Sequence, residues 1–330
     1  MKPKVFVTRQ VPQPALDLLA GHAEVKVNPA RDRVLSKQEL TRAVRDHDFL
    51  FCTLTDTIDA DVLNANPGLR IVAVMAVGYN NVDLVTATAR RIPVTNTPGV
   101  LTETTADLAW ALILAVARRI VEADKFTRSG KFTNWGPMLM LGTDVHGKTL
   151  GIVGMGRIGQ AVARRACGFD MKVLYHTRSR LTSEVEAQLG VEYRALDALL
   201  SESDFVSIHT PLTQSTQHLI GARELGIMKR TAYLINTSRG PVVDERALVD
   251  ALLRQRIAGA GLDVYENEPA LEAGLVGLDN VVLLPHIGSA SLETRTRMAL
   301  TTADNIIAVI NGERPPNLVN PEVYRAHTIE

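Results

Sequence analysis

The chain has 330 residues, 46% of them apolar and 22% charged, and its 36 basic and 36 acidic side chains cancel. That length suits two domains of about 100–200 residues, each with enough apolar material for a core. Balanced charge without a basic cluster argues against nucleic-acid or anionic-membrane partners, and with neither a leader-like nor a long apolar segment the expected location is cytoplasmic.

In chain order, Lys2 and Lys4 lead into a short strand at 5–7, and a helix starts near Pro14. Residues 35–46 read as a helix, and 50–53 and 71–74 as buried strands. Residues 93–99 read as a last strand that leaves through Pro98-Gly99. These elements make a compact first unit, residues 1–98. The alanine-rich stretch 102–119 predicts one long helix, as a domain crossover, a subunit contact or a core helix. Beyond Lys148, strands are expected at 150–153, 171–175, 205–208, 232–235, 260–262 and 281–284. Strand-like and helix-like runs alternate throughout, which predicts an α/β fold with parallel sheets. Cys52 and Cys167 fall in a strand-like and a helix-like run, so both are expected as buried free thiols. No metal site is expected.

Gly154-Met155-Gly156-Arg157-Ile158-Gly159 follows the apolar run Leu150-Gly151-Ile152-Val153 and opens a helical stretch to Phe169. A strand, Gly-x-Gly-x-x-Gly and a helix together make a dinucleotide-binding turn. Gly154 allows the tight turn, Gly156 the approach of the pyrophosphate, and Gly159 close packing of helix on strand. The anion then meets free N–H groups at the positive end of the helix. An NAD-preferring turn places an acid about 20 residues further on, to accept from the ribose 2′-hydroxyl. Here His176-Thr177-Arg178-Ser179-Arg180 occupies that place, with no acid between Asp170 and Glu184. Arg178, Ser179 and Arg180 suit a 2′-phosphate, so NADP(H) is expected over NAD(H), which stays possible.

Ligands of an open parallel sheet sit outside the carboxyl ends of its strands. Arg239, Glu268 and His286 each follow a predicted strand, and Asp263 comes directly after one, able to accept from a carboxamide such as that of nicotinamide. This set suits reduction of a carbonyl beside a carboxylate. Arg239 would clamp the carboxylate, His286 would protonate the developing alkoxide, and Glu268 within reach of the ring would favour its charged form.

The chain resembles the D-isomer-specific 2-hydroxyacid dehydrogenases, and among them the glyoxylate/hydroxypyruvate reductases. Besides the glycine turn, the likeness rests on Val77-Gly78-Tyr79-Asn80-Asn81-Val82-Asp83, Gly142-Thr143-Asp144-Val145-His146-Gly147-Lys148, Asn236-Thr237-Ser238-Arg239-Gly240, Gly261-Leu262-Asp263-Val264-Tyr265-Glu266-Asn267-Glu268-Pro269 and Leu284-Pro285-His286-Ile287-Gly288-Ser289. The resemblance implies two doubly wound parallel-sheet domains. One is a Rossmann dinucleotide-binding domain at 99–288; the other is a flavodoxin-like substrate domain made of 1–98 and 289–330, with a returning helix at 291–310. It implies Arg239, Glu268 and His286 as the catalytic trio, and backbone N–H groups near Val77 and Gly78 as holders of the substrate carboxylate. Around the cofactor it implies His209, Pro211, Thr237, Ser238 and Gly288, with His209 contributing backbone rather than proton transfer. The segment Asn134-Trp135-Gly136-Pro137-Met138-Leu139-Met140-Leu141 resembles a loop that reaches a partner's active site in those reductases, so a homodimer is expected. The expected substrates are small 2-oxo acids such as glyoxylate and hydroxypyruvate. Alternatives are a larger 2-oxo acid such as 2-ketogluconate, or a non-enzymatic dinucleotide-sensing protein like the corepressors of this fold.

Overall fold

The computed structural model describes residues 2–30 and 33–324. The chain divides into two compact units, one made of residues up to Leu101 with those from Ser289 onward, the other of Thr102–Gly288.

In the first unit, strands β1 (Lys4–Val7), β2 (Glu24–Val27), β3 (Phe49–Cys52), β4 (Ile71–Val74) and β5 (Val94–Thr95) form a parallel sheet in the order β2-β1-β3-β4-β5. Both faces are covered, so the inner strands read as continuous apolar runs rather than alternating ones. Val5, Val7, Phe49, Phe51, Ile71 and Ala73 meet the helices Gln13–His22 and Leu292–Ile310 on one face. Phe6, Leu50, Cys52, Val72 and Val74 meet Leu40, Val44, Val62 and Leu63 on the other. Each fully buried Phe, Leu or Val contributes about 1.5–3 kcal/mol. The tail closes the sheet at β5: Val319 N–H donates to Val94 O (2.8 Å), and the Asn320 amide oxygen accepts from Val94 N–H (2.8 Å).

The second unit holds β6 (Thr149–Val153), β7 (Lys172–His176), β8 (Val191–Tyr193), β9 (Phe205–Ile208), β10 (Tyr233–Asn236), β11 (Gly259–Leu262) and β12 (Val281–Leu283). All are parallel, in the order β12-β11-β10-β9-β6-β7-β8. The order reverses between β6 and β9, as in dinucleotide-binding folds, which puts the ligand crevice at their carboxyl ends.

Two expectations need correction. The stretch 102–119 is not one helix: Thr102–Ala117 ends where the Ala117 carbonyl accepts from Thr143 N–H (2.8 Å), Arg119 turns left-handed (φ 54°), and Ile120–Arg128 begins anew. Cys167 is exposed rather than buried; it opens a short 3-10 turn after the helix Arg157–Ala166, past that helix's inward face, whereas Cys52 is buried in β3.

Candidate active site

The glycine turn is built as the motif requires. Gly154 has φ +99°, and a Cβ there would lie 2.7 Å from the His209 carbonyl carbon. A Cβ on Gly159 would lie 2.2 Å from Gly154 O, so helix and turn pack at a distance only glycine permits, whereas Gly156 faces open space. The helix Arg157–Ala166 starts here with Gly156 as its cap and no capping side chain, and Arg157 and Ile158 stand in its first turn, exposed and half-buried respectively. Nearby, the Thr210 and Thr237 hydroxyls are buried with no described partner. Open space over a glycine, free N–H groups at a helix start and orphaned hydroxyls fit a dinucleotide.

At the end of β7 the two arginines differ. Arg180 is committed: its Nε and Nη2 donate to Glu186 (2.8 and 2.9 Å), and its guanidinium lies 5.4 Å from the Tyr193 ring centre. The Arg180 pair, then the Tyr175 hydroxyl, hold the Glu186 carboxyl down at about 2. That hydroxyl also accepts from Leu181 N–H (3.0 Å) and so pins the loop. Arg178 and Ser179 are exposed, and among the described residues Arg178 has no partner. Spacing alone marked two equal cations, because the returning Glu186 lies on the next helix.

His209 leaves β9 with its N–H on Val153 O (2.7 Å) and its Nε2 against the Ser207 hydroxyl (2.8 Å). Burial holds the imidazole down at about 4, so it is neutral near pH 7. Pro211 follows in the exposed part of the same loop. After β10, Asn236 organises the turn: its amide oxygen accepts from the N–H (3.0 Å) and hydroxyl (3.0 Å) of Ser238, and its Nδ2 donates to Arg239 O (3.0 Å). The next residue, Gly240, sits where a Cβ would come within 1.8 Å of the Tyr265 carbonyl carbon, so the Arg239 turn is pressed against the loop after β11.

That loop and the end of β12 meet through side chains. His286 Nδ1 pairs with Glu268 Oε2 at 2.8 Å, while Glu268 Oε1 accepts from Tyr265 N–H (3.0 Å). Burial raises the Glu268 carboxyl, but the bond to His286, the imidazolium charge, the Tyr265 N–H and Arg239 together carry it below its ordinary range. Burial lowers the Arg239 guanidinium, and the charge of Glu268 partly offsets this. His286 is left-handed (φ 56°), an uncommon state for a side chain other than glycine. Asp263, 1% exposed, holds it so: its two oxygens accept from Ile287 and Gly288 N–H, both at 2.7 Å. The expected carboxamide acceptor is thus foremost the anchor of the His286 turn, with one lone pair on each oxygen left over. Thr105 adds a bond to Gly288 O (3.0 Å) and the Tyr265 hydroxyl one to Leu284 O (2.8 Å).

The chain matches the family described as D-isomer specific 2-hydroxyacid dehydrogenase, NAD binding domain, over residues 110–288. It is 57% identical over 328 residues to a glyoxylate reductase of Korarchaeum cryptofilum, covering 98% of each chain. It belongs to the D-isomer-specific 2-hydroxyacid dehydrogenases. A glyoxylate reductase of Thermococcus kodakarensis is 54% identical over 98% of each chain. An NADPH-dependent glyoxylate/hydroxypyruvate reductase from Sinorhizobium meliloti, solved with NADP and malonate, superposes with TM-score 0.86 at 34% identity over the full length of both. The 2-hydroxyacid dehydrogenase described here is thus an NAD(P)-dependent oxidoreductase with a Rossmann-type unit, which sets the sensor alternative aside. In its other unit, Val77 and Gly78 lie past the end of β4, half-buried, with Val77 O held by the Asn96 amide (2.8 Å). Among the described residues their N–H groups have no acceptor. No helix among the described residues is long and apolar enough to cross a membrane, and no group of three or more metal-ligating side chains occurs among them.

Proposed function

We propose that this dehydrogenase reduces small 2-oxo acids, glyoxylate to glycolate and hydroxypyruvate to D-glycerate, in the cytoplasm and with NADPH preferred over NADH. The observation that carries the reading is the His286–Glu268 pair at 2.8 Å, joined to the Arg239 turn at the carboxyl edge of the sheet that holds the glycine turn. Glycolate and glyoxylate differ by one hydride and one proton. When bound, the reduced nicotinamide supplies the hydride. The protein supplies the proton: with Nδ1 taken by Glu268, the other ring nitrogen of His286 is left to face the carbonyl oxygen and protonate it as it becomes a hydroxyl. Glu268, ionised, holds the ring and stabilises its charged form. Arg239 binds the substrate carboxylate and orients the adjacent carbonyl. In the other unit, the free N–H groups of Val77 and Gly78 are donors of the kind a carboxylate takes.

The glycine turn, with Gly154, Gly156, Arg157, Ile158 and Gly159, would hold the pyrophosphate. Thr237, Ser238, His209, Pro211 and Gly288 would line the rest of the cofactor. Arg178 and Ser179 would carry the 2′-phosphate, with Arg180 shaping the loop that presents them. A homodimer would cover the apolar side chains this chain leaves open, Ile120, Phe132, Trp135, Met138 and Leu141, which are 52–76% exposed.

Initial rates of NADPH and NADH oxidation with glyoxylate and hydroxypyruvate test the proposal. Turnover on the enzymatic scale of about 1–1000 per second with NADPH ahead supports it. Turnover with NADH ahead removes the cofactor preference, and activity confined to bulkier 2-oxo acids removes the substrate assignment. In R178A the preference for NADPH should fall by about tenfold or more, the scale of one charge-assisted bond, and in R180A by less.

A further inference from the structure

Glu245 opens the helix Glu245–Leu253 and is 3% exposed, with no Lys or Arg partner among the described residues. A carboxylate so enclosed is costly unless its lone pairs are filled. The loop after β11 supplies a donor: Glu245 Oε1 accepts from Glu266 N–H at 2.7 Å, which lowers a carboxyl that burial raises above its ordinary range. That anchor lies two residues before Glu268. The tie is reciprocal, because Glu266 Oε2 accepts from Glu245 N–H (3.4 Å), and on the outside Glu266 Oε1 meets His218 Nε2 (2.7 Å). Behind the loop, Gly240 leaves no room for movement toward the Arg239 turn.

We propose that Glu245 is a positioning residue for the reduction: by fixing the main chain at Glu266, two residues before Glu268, it sets that carboxylate on His286. It touches neither of the reacting groups, and no feature of the sequence motifs singled it out. The chemistry is that of a staple. The Glu245 and Glu266 carboxyls each accept the other's main-chain N–H, so the helix start and the loop are tied twice. The charged groups facing Glu245 are the carboxylates of Glu266 and Glu272, so no cation pulls it away from the loop. Without the staple, the loop that follows Glu266 is free to shift Glu268 relative to the ring, and misplacement by about 1 Å is enough to cost a hundredfold in rate.

The inference rests on the reading of His286 as the proton donor and Glu268 as its partner, and the test separates the two. Reductive kcat and KM for glyoxylate would be measured in the wild type, E245Q, E268Q and the double variant. In E245Q an amide NH2 is turned toward a main-chain N–H. It should lower kcat by about ten- to a hundredfold and leave KM within about twofold. The double variant should be no worse than E268Q alone, since the staple has nothing left to position. E245D, which keeps the charge but withdraws it by one methylene, should behave like E245Q and serves if the amide variant does not fold. The proposal is overturned if E245Q loses thermal stability while its kcat stays in place, or if the two losses multiply. An E268Q enzyme with unchanged kcat would instead unseat the reading of Glu268 itself.

Discussion

The turn after β11 supplies two glutamates two residues apart, and each takes a histidine: Glu266 pairs with His218 at 2.7 Å and Glu268 with His286 at 2.8 Å. Both histidines are left-handed, with φ 50° and 56°. By pair geometry alone they are equivalent. Their settings are not. The His218 side chain is 42% exposed and the His286 side chain 26%. The His218 N–H is tied to Pro241 O (2.8 Å), which fastens one loop to another. His286 stands on a turn held twice by a buried aspartate, and its glutamate shares the field of the half-buried Arg239 guanidinium. A histidine–carboxylate pair is therefore weak evidence of chemistry until its surroundings are known.

The comparison breaks most clearly at the rings. H286A should lower reductive kcat by about a hundredfold or more, the scale of a lost general acid, as read by initial rates at saturating glyoxylate. Next comes the guanidinium that only one pair possesses. R239K keeps the charge and loses the planar fork, so kcat/KM should fall by at least about tenfold, matching about 1.5–3 kcal/mol for one charge-assisted bond.

The partner carboxylate gives a smaller, pH-dependent effect. Glu268 is held below the ordinary glutamate value of 4.5, so it stays ionised through the neutral range. The stability it contributes is present above that value and is lost as pH falls through the lowered folded-state value. In E268Q that acid-side loss should vanish from urea titrations. The smallest effect belongs to the other pair. H218A should stay within about threefold of the wild type in kcat/KM, since an exposed ion pair contributes about 0–1 kcal/mol.

The sequence made the buried strands readable because both faces of each sheet are covered, so runs such as Ile71–Val74 and Phe205–Ile208 are apolar throughout. The edge strands β2 and β8 were not named: one carries exposed and half-buried side chains along its length and the other has three residues. The break at Arg119 was hidden because it is imposed from outside, by Thr143 on the Ala117 carbonyl. At the site, the strand ends announced Arg239, Glu268 and His286. The groups that hold those three in place left no local signal: Asp263 reaches across 25 residues to Gly288, and Glu245 across 21 to Glu266. Arg180 was misweighted for the same reason, since Glu186 reaches it from the following helix. The return of the chain at Ser289 to complete the first unit came from family resemblance, because hydrophobic periodicity marks an element and not its neighbours.

One paired measurement bears most directly on the account: kcat/KM for glyoxylate with NADPH in H286A and in H218A, each compared with the wild type. The two substitutions delete the same ring from equally short pairs on one loop. A loss of about a hundredfold or more in H286A beside a nearly unchanged H218A is the predicted result. Equal losses in both, or an H286A enzyme that still turns over at the wild-type rate, would contradict it.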